Sequence, residues 1–296
     1  MKITKSKIRC LSDGTRVAVS CVFRSYSVDS VYRLTLGIMI NIIMNINSFW
    51  VSTTPRTGSM WLFNVTKEIL NFSKFNVLPI ELPQSDQKGF EIFKNQSLID
   101  QNNTNKYIFK VHTILKSDIP KSKILTTIRD PRDICISFKE FMKTDFNTAL
   151  KAAKSLLNYE KIYKTYNKNY LKFFRYENIE NKPVETILEI ADFIGYKINC
   201  KIAKAISLKY NKKTVKKIIK NNDKNLLSKI KNKEEINKSN IVYFSKDNYR
   251  SFDTKTGFQT NHISNRSSGD WGKKFSSKEI EIINFEFKEL ISEYKF

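Results

Sequence analysis

Residues 49–65 read FWVSTTPRTGSMWLFNV. An apolar run is followed by a turn of small and polar residues, then by apolar residues at helical spacing. This is the strand–turn–helix form of a phosphate-binding loop, a form that an ordinary strand-to-helix turn also takes, and either way it points to an α/β fold. The Gly-Lys-Ser/Thr ending that grips ATP and its magnesium is missing. Pro55, Arg56, Thr57, Gly58, Ser59, Met60 and Trp61 stand in its place. A loop running into a helix offers unpaired N–H groups and the positive end of the helix dipole to an anion. Gly58 permits close backbone approach, Thr57 and Ser59 add hydroxyls, and Arg56 adds a guanidinium that forks onto phosphate or sulfate oxygens.

The rest of the chain alternates strand and helix in the way a parallel sheet requires. "KYIFKVH" and "SKILTTIR" read as further strands, and "NYLKFFRYENI" as a strand running into a loop. Asp130 is placed to cap a helix whose first residue is Pro131, with Asp133 in its first turn. A long amphipathic helix is expected over about 146–166, and "PVETILEIADFIG" is a helix ended by Gly195. Residues 197–240 are Lys-rich and helical in pattern, and a closing helix starts at Ser276 or Ser277. Arg129 stands at a strand's end, and Ser137 lies about two turns into the next helix. In a doubly wound sheet ligands bind beyond the carboxyl ends of the strands, where Arg129 and the loop after the first strand both belong.

The 296 residues carry 52 Lys and Arg against 29 Asp and Glu, a net charge of +23, which points to an anionic partner. Part of this charge accompanies a general bias to Lys, Asn and Ile. Cysteines at 10, 21, 135 and 200 form no CxxC pair, and two histidines leave little for a metal site. The scattered thiols suit a reducing, cytoplasmic setting. Residues 34–46, an apolar run of about 13 after a basic leader, fall short of the roughly 20 apolar residues of a spanning helix. An unstructured extension or extra strand is favoured there over a membrane anchor. Residues 1–45 are thus expected to be an extension and 46–296 a single domain.

Taken together, the motifs resemble the sulfotransferase family that uses 3′-phosphoadenosine 5′-phosphosulfate (PAPS). The loop Pro55–Trp61 resembles that family's 5′-phosphosulfate loop in its Arg form. Arg129-Asp130-Pro131-Arg132-Asp133 with Ser137 resembles its 3′-phosphate motif. Lys110-Val111-His112, Arg175-Tyr176-Glu177 and Gly269-Asp270-Trp271 match three further motifs in the family's order. The resemblance implies a P-loop-like sulfotransferase fold and sulfuryl transfer from PAPS to a hydroxyl or amine acceptor, with no metal required. It implies that Arg56, Thr57, Gly58, Ser59 and Met60 hold the 5′-phosphosulfate, that Arg129 and Ser137 grip the 3′-phosphate, and that Trp61 and Tyr176 contact adenine. His112 would be the general base, with Lys110 and Arg56 supporting the sulfuryl group and the leaving phosphate.

Two departures stand out. The late loop usually reads Arg-Lys-Gly before its two variable residues, and here Ser264, Asn265 and Arg266 occupy those places. The displaced Arg266, with Ser268 and Gly269, is the expected match. A Thr/Ser-Phe pair has its nearest counterpart in Ser207-Leu208, which lacks the ring and is not carried over. The rival readings are a nucleic-acid or polyanion binder drawing on Lys212, Lys213, Lys216, Lys217 and Lys220, and a P-loop kinase. The first lacks a nucleic-acid motif and the second lacks the Lys-Ser/Thr pair. The acceptor and the oligomeric state are not legible.

Overall fold

The computed structural model describes residues 46–97, 105–116, 119, 122–245 and 248–296. The apolar run at 34–46, apart from its last residue, lies outside them, as does the expected extension. Five parallel strands form the main sheet in the order β2–β3–β1–β4–β5: β1 Ser48–Ser52, β2 Asn76–Leu78, β3 Asn105–Val111, β4 Ser122–Ile128 and β5 Leu171–Arg175. From β1 the chain builds β2 and β3 on one side, then crosses to β4 on the other. Such a reversal opens a crevice at the carboxyl edge. The register places Ser52 beside Val111 and Val51 beside Leu125, so the loops after β1, β3 and β4 leave the same edge.

Both faces of the sheet are covered, as parallel pairing demands. Along β1, Phe49 and Val51 pack into a core with helices α1 (Ser59–Phe72), α6 (Pro183–Ile194), α7 (Cys200–Lys209) and α8 (Lys212–Lys231). Trp50 points the other way. It is fully buried between Phe109, with ring centroids 4.6 Å apart, and Phe90 of α2 (Asp86–Ser97), at 5.2 Å. A third core joins α3 (Pro131–Met142), α4 (Phe146–Tyr163), α9 (Ser277–Glu286) and α10 (Lys288–Tyr294) around Ile128 and Phe287. An antiparallel hairpin, β6 (Ile241–Ser245) with β7 (Asn248–Ser251), stands apart from the main sheet.

The local signals act as read. Asp130 accepts from the Arg132 N–H ahead of Pro131, and Ser276 and Glu279 close a reciprocal capping box. Gly195 ends α6 at φ 89°. Four expectations need correction. The chain after Arg175 enters a short helix, α5 (Tyr176–Asn181), in place of a loop, with Glu177 in its first turn favoured by the dipole. The helix from Phe146 stops at Tyr163. The Lys-rich stretch is broken at Tyr210–Asn211, where Asn211 caps α8 with its side chain, and the closing helix is broken at Phe287. Among the described residues, no helix is long and apolar enough to cross a membrane.

Candidate active site

The loop after β1 holds two left-handed residues, Arg56 at φ 70° and Gly58 at φ 97°. At Gly58 no other residue fits comfortably, since an added Cβ would lie 2.9 Å from the Tyr176 ring. Arg56 is uncommon in that region for a residue with a side chain, and contacts on several sides hold it there. Its Nε donates to Ser137 Oγ at 3.0 Å, its Nη2 donates to the His262 carbonyl at 3.2 Å, and its guanidinium lies 4.1 Å over Phe141. Its own carbonyl accepts from Arg129 Nη1 at 2.8 Å. Arg129 in turn stacks 3.8 Å over Tyr176, and its Nε is buried with no partner among the described residues.

Two guanidiniums are thus brought together beside a helix N-terminus, and neither forms an ion pair with a carboxylate within 4 Å among the described residues. Burial, and then the charge of Arg129, push the Arg56 pKa down to about 9. An anion of multiple charge would relieve both costs.

A cavity of about 480 Å³ opens here, lined by Arg56, Gly58, Ser59, Met60, Trp61, Arg129, Ser137, Tyr176, Arg266 and Ser268. Ten of the residues expected from sequence to bind the donor therefore share one wall. Two do not. Thr57 is fully buried; its hydroxyl donates to the Thr54 carbonyl at 2.7 Å and accepts from Thr127, so only its backbone can serve an anion. Gly269 is not on the wall, and its N–H donates to Asp133 Oδ2 at 2.9 Å. The Ser268 hydroxyl donates to Glu180, which also pairs with Lys212. The displaced Arg266 reaches the cavity while donating to Glu140 at 2.8 Å, with Nη1 3.8 Å from Asp133.

A second cavity, of about 270 Å³, adjoins the first and shares Arg56, Ser59, Met60 and His262 with it. Lys110 and His112, from the end of β3, face it together with Asp86, Phe138 and Phe141. His112 Nδ1 lies 2.8 Å from the Thr53 carbonyl. A carbonyl only accepts, so Nδ1 carries the proton and the lone pair is on Nε2. Asp86 fixes the backbone beneath, accepting from His112 N at 2.8 Å and from the Thr113 hydroxyl at 2.6 Å. Burial, and then Lys110, push the His112 pKa down to about 4. The ring is open to the cavity, and solvent there tempers the depression. Lys110 is brought down to about 8 by burial, opposed by Asp86.

The sequence reading missed several wall residues. Ser207, Tyr210, Lys212 and Phe258 line the first cavity, and Asp86, Phe141 and Phe252 line the second. Ser207 carried a signal, the partial match set aside for want of a ring. The others come from stretches without motifs.

The chain matches the sulfotransferase domain model over residues 47–295. It is 27% identical over 184 residues to cytosolic sulfotransferase 17 of Arabidopsis thaliana, a match covering 51% of the chain and 52% of that relative, about half the relative's length. Among solved structures it resembles mouse sulfotransferase SULT7A1 complexed with PAP, with a TM-score of 0.54, 16% identity and coverage of 83% of this chain and 85% of that one. Retinol dehydratase in a complex with retinol and PAP is similar at a TM-score of 0.52 and 14% identity, covering 84% and 83%. At these identities the structural likeness speaks for the fold.

Proposed function

The chain belongs to the sulfotransferase-domain family, and on that premise we propose that it transfers a sulfuryl group from PAPS to a hydroxyl or amine acceptor by in-line displacement. The observation that carries this reading is the pair of cavities joined at Arg56, Ser59, Met60 and His262. One is walled by the Arg56 and Arg129 guanidiniums, which form no ion pair among the described residues, and by aromatic rings, as a bisphosphorylated nucleotide requires. The other holds a histidine with a free Nε2. The complexes of two structural relatives with PAP support the same assignment.

The bound donor supplies the activated sulfuryl group, and the chain's residues position and stabilise. Arg56 and the N–H groups opening α1 would hold the 5′ end and the leaving phosphate, while Arg129, Ser137 and Arg266 would take the 3′-phosphate. Tyr176 and Trp61 would contact adenine. His112 would accept the acceptor's proton at Nε2, held in that tautomer by Thr53. Lys110 would offer its ammonium to the sulfuryl oxygens.

We assign this chemistry to a domain over 46–296 and a cytoplasmic setting, which the free thiols of Cys135 and Cys200 support. The test is a screen of labelled PAPS against hydroxyl, amine and carbohydrate acceptors, with nucleotide binding measured in parallel. Transfer to at least one acceptor is expected. A chain that binds neither PAPS nor PAP would overturn the reading.

A further inference from the structure

We propose that His262 is a second catalytic histidine, whose ring donates a hydrogen bond to the sulfuryl group in transit between the two cavities. This rests on the sulfotransferase reading. His262 lines both cavities, one of the four residues they share. Its carbonyl accepts from Arg56 Nη2, so its backbone is tied to the guanidinium assigned to the leaving phosphate. Its ring sits 5.9 Å from Phe141, the ring that also carries Arg56. Its Nδ1 is buried without a hydrogen-bond partner among the described residues. A buried polar atom without a partner is costly, and at a reaction junction it fits a group whose partner arrives with the substrate.

The surroundings separate its role from that of His112. At His112 burial and Lys110 lower the pKa, but the Thr53 carbonyl on one nitrogen and Asp86 nearby oppose that lowering. At His262 burial, and then Arg56, Lys110, His112 and Arg250, bring the pKa down to about 3, and no carboxylate opposes them among the causes. An imidazole so placed stays neutral and is a poor base, but a neutral N–H is a good donor. Among the described residues, no hydrogen bond fixes which nitrogen of His262 bears the proton. A sulfuryl oxygen, which only accepts, would select the tautomer whose N–H faces it.

With two histidines in the chain, long-range ¹H–¹⁵N spectra of the unaltered protein contain two imidazoles, assigned through a His112→Gln variant. PAPS is expected to shift the His262 nitrogens to a single defined tautomer, and PAP, which lacks the sulfuryl group, is expected not to. Identical His262 signals with both nucleotides bound would overturn the proposal and leave the sulfotransferase reading intact; failure of both to bind would remove both. In single-turnover transfer, His262→Phe should lose about 10²–10³ in rate, the scale of one lost donor to developing charge, with PAP affinity unchanged. His262→Asn, which keeps an amide near the Nδ1 position, should recover part of it. A His262→Phe rate near that of the parent would equally sink the idea.

Discussion

Arg56 and Ser137, 81 positions apart in sequence, meet through a hydrogen bond of 3.0 Å from Nε to Oγ. The bond ties the loop after β1 to helix α3, and with it the two halves of the anion site. Arg129 completes the link by donating to the Arg56 carbonyl. The first prediction follows from this coupling. PAP should bind more tightly than ADP, and Arg129→Ala should erase the difference. Hydrogen bonds to charged groups are worth about 1.5–3 kcal/mol, so the loss should be roughly ten- to hundredfold. Ser137→Ala should weaken PAP in the same direction and less. Titration calorimetry decides it, and an Arg129→Ala protein that still prefers PAP would place the 3′-phosphate elsewhere.

The second prediction separates backbone strain from site geometry. Gly58 and Gly195 both have left-handed φ, 97° and 89°. A Cβ on Gly58 would strike Tyr176 at 2.9 Å, whereas one on Gly195 would meet nothing within 4 Å. Gly58→Ala and Gly195→Ala should each cost about 1–3 kcal/mol of stability. Only Gly58→Ala should also weaken nucleotide binding, because it pushes Tyr176 from beneath Arg129. Equal nucleotide affinity in both variants would remove Tyr176 from the binding wall.

Much of this arrangement was legible in sequence, for definite reasons. The first strand, the glycine turn and the Asp130–Pro131 start are local signals, and local physics decides them. The Arg129-to-Ser137 motif likewise lies within one strand end and one helix. The orientation of the Thr57 hydroxyl was not legible, because its partner Thr127 is 70 residues away on β4. Strand β2 is three residues long and too short to show a period. Helix α2 carries Gly89 and few apolar residues, and its place is set by Phe90 and Phe93 packing on Trp50, a tertiary effect. The hairpin β6–β7 begins just past the Lys-rich stretch of 197–240, in a segment with no motif to assign it. The second cavity draws its walls from α2, β3, α3 and the 252–262 segment, so no single stretch of sequence announces it.

The third prediction concerns acid stability. Burial pushes the pKa of His262 down to about 3 in the folded chain, and that of the more solvent-exposed His112 down toward about 4, against about 6.5 unfolded. Between these limits the unfolded chain binds more protons, so stability rises with pH and is fully present above about 6.5. Urea midpoints should fall as pH is lowered from 7 to 4. His262→Gln, which cannot take the proton, should show a shallower fall. An identical slope in parent and variant would mean that His262 is not held neutral by the fold.

The fourth prediction is that His112 acts as the base and does not hold the nucleotide. It lines the second cavity and is not among the residues lining the first. Its Nδ1–H is committed to Thr53 and its backbone to Asp86, so Nε2 is the atom offered to an acceptor. His112→Ala should lose about 10²–10⁴ in turnover, while PAP affinity stays near that of the parent. That pattern marks an interaction made in the transition state. Asp86→Asn removes the carboxylate that anchors the end of β3 but leaves the base itself. It should therefore lower turnover less than His112→Ala, again without weakening PAP. Arg56→Ala should lose both turnover and affinity, because the same guanidinium faces both cavities. The measurements are single-turnover rates with an acceptor from the screen and nucleotide dissociation constants for each variant. Near-normal turnover in His112→Ala would shift the base to another group. A parallel loss of PAP affinity would instead show that the two cavities do not divide binding from chemistry.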